Sequence, residues 1–195
     1  MTPNEGHLIR LAKQIGAIGL QAANAYNEAQ ASLNLELVIT LARLETTDGT
    51  NDSLATLAKL TELNIAHKDA YAKFMTAAVG QLATASAELP GSLADEYRDG
   101  IVNSVNWNLA AQAKFYTLRE EWIEKAVAIC HLVESRRSSI SFGASTITFN
   151  DDADLASFQA LVARVDEIHE LEVCQAAERM ARLSKSIATL GSHSV

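Results

Sequence analysis

Between Phe115 and Val133 the large apolar residues fall at Phe115, Leu118, Trp122, Ile129 and Leu132, with Ala126 at the remaining step. Steps of three and four residues return side chains to one side of a helix, so the stretch carries a continuous apolar stripe. A stripe of that length has to be covered, and the rest of the chain supplies helices with stripes of their own.

Breakers are scarce. Nine glycines and two prolines in 195 residues leave room for few, long elements. Thr2, Pro3 and Glu5 read as a helix start with a capping box. From there Leu8, Leu11, Ile15, Ile18, Ala22, Ala25 and Ala29 keep a near-heptad, coiled-coil-like spacing, and Leu33, Leu37, Leu41 and Leu44 follow at mostly four-residue steps, a change that alters the supercoil rather than stops the helix. The spacing predicts one helix over about 3–47, ended by Gly49. Gly16 and Gly19 thin its first half, which lets a neighbour approach closely. A second helix is expected over about 53–88, with Asn64 and His67 interrupting its apolar face. Pro90 and Gly91 end it, and a third runs over about 93–137 through the opening stretch.

Residues 138–149 break the helical period. Ile140 and Phe142 precede Gly143, and Ile147 and Phe149 follow it, alternating with Ser and Thr; period two with a central glycine predicts a short β-hairpin. Asn150 or Asp151 then caps a fourth helix over about 152–190, whose expected stripe is Leu155, Phe158, Val162, Val165, Ile168, Val173, Ala176, Met180, Leu183, Ile187 and Leu190.

Helices of similar length joined by short turns fold back on one another. The expected fold class is therefore all-α: an elongated antiparallel up-down four-helix bundle, one domain over 1–195, with the hairpin between helices three and four.

With 24 acidic against 16 basic residues, a formal charge of −8, the composition argues against a nucleic-acid partner and against docking on anionic lipid by charge. No secretory leader or spanning segment is read in the sequence, which leads to an expected cytoplasmic location, leaderless export remaining open. Cys130 and Cys174 lack CxxC spacing and read as two buried thiols.

Chemistry-bearing motifs are few. No Glu-x-x-His pair of the ferritin-like di-iron kind occurs, nor a P-loop, GxSxG, GxGxxG or HExxH. The reverse spacing, His131 with Glu134 and His169 with Glu172, places Cys130, His131, His169 and Cys174 at comparable heights of an antiparallel pair, a candidate zinc cluster. The plainer reading makes Cys130 core, sets His131 and His169 beside the stripe and leaves Glu134 and Glu172 solvated. No cofactor and no catalytic residue is expected.

The sequence thus favours a non-enzymatic protein acting through protein–protein contact or self-association along its helical faces, with Ile140, Phe142, Ile147 and Phe149 as the interaction residues of the hairpin. A second reading is membrane activity. Some bacterial pore-forming toxins are helical bundles with an apolar hairpin between two helices, and the placement of residues 140–149 resembles that architecture without matching a motif. A third is a metal-binding bundle centred on His131 and His169.

Overall fold

A computed structural model describes residues 2–192, with side chains through Arg182, and the chain is all-α apart from one small hairpin. In order it comprises α1 (Pro3–Ala31), α2 (Leu41–Leu44), α3 (Thr47–Ala87), α4 (Gly91–Arg136), β1 (Ile140–Phe142), β2 (Ile147–Phe149) and α5 (Asp152–Ser192). Short 3-10 turns lie at Leu35–Leu37 and Arg137–Ser139. The side chains of Leu183, Ile187 and Leu190, expected in the stripe of α5, and the whole of the tail 193–195 fall outside what is described.

The expected helix over 3–47 does not run through. Ser32 caps α1, its hydroxyl donating to the Ala29 carbonyl at 2.7 Å, and Asn34 takes a left-handed φ of 50°. Asparagine tolerates that conformation, and it stops a right-handed helix. The leucine run then serves a turn instead: Val38 and Leu44 are buried while Leu37 is exposed. The second boundary also moves. The segment Thr47–Asp52, expected to end a helix, opens α3, because the Thr46 hydroxyl accepts from the Gly49 N–H at 3.0 Å as an N-cap does. The expected starts of the other helices shift by no more than two residues.

The chain divides into two compact units, Met1–Leu35 with Ala58–Ala113 and Glu36–Leu57 with Lys114–Val195, so α3 and α4 each run unbroken through both.

In the first unit the capping box forms as expected: Glu5 N–H donates to Thr2 Oγ1 at 3.2 Å, and Thr2 N–H to Glu5 Oε2 at 3.0 Å. Asn4 donates to the Glu88 carbonyl, the would-be Cβ of Gly19 meets the Phe74 ring at 3.3 Å, and Tyr26 stacks on His67 at 4.1 Å. As α1 ascends, its partners on and just beyond α3 descend, so the two run antiparallel. Leu8, Ala85, Leu89 and Ala94 form the core of the turn between α3 and α4. The near-heptad stripe holds for Leu8, Leu11 and Ile15 and then slips. Gly19 and Tyr26 face inward and Ile18 is 55% exposed. The Phe74 ring, taking the space a side chain at Gly19 would fill, makes that slip fit. No atom lies within 4 Å of a Cβ on Gly16, so only the second of the two glycines is approached.

The second unit is built on the opening stretch. Leu118, Trp122, Ala126 and Ile129 are buried as the spacing requires, and Tyr116, Ile123, Cys130 and Val133 widen the buried arc. Ion pairs link α4 to α5: Arg119 to Glu172 at 2.8 Å, Glu121 to Arg164 at 2.6 Å and Arg136 to Asp154 at 2.6 Å. Ascending α4 again means descending α5. Asp151 caps α5, its Oδ1 accepting from the N–H groups of Ala153 and Asp154. The hairpin forms where period two placed it, with Ile140 opposite Phe149 and Phe142 opposite Ile147.

Helix α5 corrects the sequence reading most. From Val165 and Ile168 a helical step leads to Glu172 and Gln175, and these polar residues are the inward ones. Val173, Ala176 and Met180, expected in the stripe, are exposed, Val173 at 55% and Met180 at 62%. The expected series jumped five residues from Ile168 to Val173, and that jump carried it to another side of the helix.

Candidate functional site

The surface around the hairpin is organised by Arg137. Its Nη1 donates to the carbonyls of Leu44 at 3.2 Å and Glu45 at 2.8 Å, and its Nη2 to Thr50 Oγ1 at 2.9 Å. Nε and Nη2 both reach Glu134 Oε2, at 2.8 and 2.6 Å. The end of α2 leaves carbonyls without helical partners, and a cation with several donors is suited to them. Glu134 in turn accepts from Thr47 Oγ1 at 2.9 Å, at the start of α3. One ion pair therefore fixes the end of α4 to both α2 and α3.

The Arg137 guanidinium also lies 5.9 Å from the centre of the Phe142 ring. Beside that ring is an open depression of about 550 Å3, lined by Thr40, Leu41, Ala42, Glu45, Phe142, Gly143 and Ala144. Its lining mixes polar and apolar surface in nearly equal parts, and it carries one carboxylate.

Side chains at Ile140, Phe142, Ile147 and Phe149 share one face of the hairpin, since paired and alternate residues point the same way. They do not share one environment. Phe149, expected at a contact surface, is instead 8% exposed and packs on Phe158 at 5.2 Å, which makes it part of the core. Ile140, Phe142 and Ile147 are half-buried, leaving them partly accessible.

The candidate zinc residues do not assemble. Among the described residues no three His, Cys, Asp or Glu side chains come together as a metal would require. Cys130 is fully buried, its thiol pushed up to about 11 by burial, so it stays protonated at neutral pH. His131, the next residue on the helix, is exposed, as are His169 and Cys174. The expectation of two buried thiols therefore holds for Cys130 and fails for Cys174.

One cluster was not singled out in the sequence. Arg119 and Gln175 are each 7% exposed, and Arg119 Nη2 donates to Glu172 Oε2 at 2.8 Å. Arg119 lies over the rings of Phe115 and Trp122, at 5.9 and 5.7 Å from their centres. Among the described residues, Arg119 Nε, Glu172 Oε1 and both amide atoms of Gln175 are buried without a hydrogen-bond partner. Burial pushes the Glu172 carboxyl above its ordinary range, with Arg119 and His169 pulling the other way. The signal was present: Arg119 falls between Phe115 and Trp122 at steps of four and three, inside the apolar stripe.

Comparison with known protein families, with characterised proteins and with solved structures finds no match to this chain. Among the described residues no helix is long and apolar enough to cross a membrane.

Stability in acid should report on Glu134. Hydrogen bonds from Arg137, ahead of the one from Thr47, hold its carboxyl below the ordinary range. A group depressed in the folded state contributes stability above its unfolded pKa, and that contribution disappears as pH falls through the folded value. Urea midpoints of Glu134→Gln measured from pH 7 to pH 3 should converge on those of the parent at the acid end. A constant offset across the range would mean that the pair contributes nothing ionic.

Proposed function

We propose that this protein works by association rather than by catalysis, binding another protein or a second copy along exposed helical faces. One observation carries the reading. Over residues 172–180 helix α5 is inverted, with Gln175 buried, Glu172 half-buried, and Val173 and Met180 exposed at 55% and 62%. Leaving large apolar groups in water while burying polar ones costs stability twice, and a covering partner removes the first cost. Ile18, Leu20, Ile65, Val102 and Leu109, also exposed, extend the same argument to the helices of the first unit. The up-down arrangement of the long helices, their action as one domain and a cytoplasmic location belong to this reading.

Light scattering and crosslinking of the purified chain test it, together with affinity capture from a lysate. An assembly that dissolves in the double variant Val173→Glu, Met180→Glu, with helix content unchanged, is the expected result. A strict monomer that captures nothing would end the proposal.

A further inference from the structure

The hairpin's hydrogen-bond parity shows which backbone groups are committed to it. Gly143 N–H donates to the Thr146 carbonyl at 2.8 Å, and Asn150 N–H to the Ser139 carbonyl at 3.2 Å. Residues 139, 141 and 143 therefore turn their N–H and C=O groups toward β2, and the alternate residues Ile140 and Phe142 turn theirs away. Among the described residues the outward groups have no partner strand, and such an edge is a template for another strand. The depression borders the turn end of β1: it is lined by Phe142, Gly143 and Ala144 and by no residue of β2. Across it stand Leu41, Ala42 and Glu45.

We infer that the open edge of β1 takes an extended segment of a partner protein as a third strand, with an apolar side chain in the depression and a basic residue at Glu45. Backbone hydrogen bonds to Ile140 and Phe142 supply the pairing, and alternate side chains of the segment supply selectivity. Charge chooses the occupant. The chain carries −8, so a second copy would bring like charge to the edge, whereas a basic segment complements both Glu45 and the whole molecule. The inference rests on the association reading but uses a surface other than the exposed face of α5. The variants at Val173 and Met180 therefore leave it unaffected, and either idea can fail alone.

The test uses the full chain and a seven-residue peptide of alternating lysine and valine. Three comparison peptides accompany it: one N-methylated on the amides of one edge, one N-methylated on those of the other, and one with glutamate in place of lysine. Amide exchange followed residue by residue should slow at Ile140 and Phe142 on adding the parent peptide and stay unchanged at Ser141, whose N–H already faces β2. Phe142→Pro removes an outward N–H, while Phe142→Ala removes the ring and keeps it. The proline variant should bind about tenfold more weakly than the alanine variant, the loss expected for an unmade hydrogen bond. The glutamate peptide and one of the N-methylated peptides should fail to bind. Binding that leaves exchange at Ile140 and Phe142 unchanged, equal binding by both N-methylated peptides, or no binding by a folded chain would each overturn the inference.

Discussion

Replacing Arg119 by methionine is expected to lower the unfolding free energy by about 3–5 kcal/mol at pH 7, the usual cost of removing one partner from a buried ion pair. The geometry supports a value in that range. Arg119 is 7% exposed, the Glu172 side chain 13%, and Glu172 Oε1 already has no hydrogen-bond partner. Without the guanidinium only the weaker pull of His169 opposes the burial of the carboxylate. The deficit should shrink in acid. Burial already raises the folded pKa of Glu172, so the penalty on its charged form acts above that pKa and vanishes below the unfolded carboxylate value of about 4.3. Removing the whole cluster should have a different result. Arg119→Met with Glu172→Leu and Gln175→Leu leaves no buried charge, and such replacements are often neutral or stabilising by about 1–4 kcal/mol. Urea unfolding of the two variants, followed by far-ultraviolet circular dichroism, gives both numbers. For one cooperative domain the loss appears in one transition; two separate transitions would count against a single domain. A single variant within 1 kcal/mol of the parent would show that water reaches the pair.

How far the sequence could be read depended on whether a feature is local. The hairpin was legible because period two and a glycine are set within ten residues. The buried stripe of α4 was legible because Leu118, Trp122, Ala126 and Ile129 keep their spacing without exception. The break after α1 was not, since Leu33, Leu37, Leu41 and Leu44 continue the helical spacing across it and Asn34 was its one local signal. The inversion of α5 was missed for the opposite reason: apolar residues are present after Ile168, but the phase of the helix assigns the inward positions to Glu172 and Gln175. The Arg137 site has no local signature, because its acceptors at Leu44, Glu45 and Thr50 lie about ninety residues away and only folding brings them together.

Gly49 offers a prediction whose sign separates local from tertiary causes. On helix propensity alone Gly49→Ala, in the first turn of α3, should stabilise by about 1 kcal/mol. In the folded chain a Cβ at that position would overlap the Arg43 carbonyl oxygen and lie 3.0 Å from the Arg43 carbonyl carbon and Cα. Those are backbone atoms, and the next two carbonyls, of Leu44 and Glu45, are held by Arg137, so α2 cannot give way without losing its cap. The substitution is therefore expected to destabilise by about 2–3 kcal/mol, as overpacking of a rigid site does. Gly16→Ala and Gly80→Ala, where no atom lies within 4 Å of the new methyl, should instead gain about 0.5–1 kcal/mol by restricting the unfolded chain. Thermal unfolding of the three variants reads the contrast directly. If Gly49→Ala gained stability like the other two, α2 could not lie against the first turn of α3, and the depression beside Phe142 would lose the wall that Leu41, Ala42 and Glu45 give it.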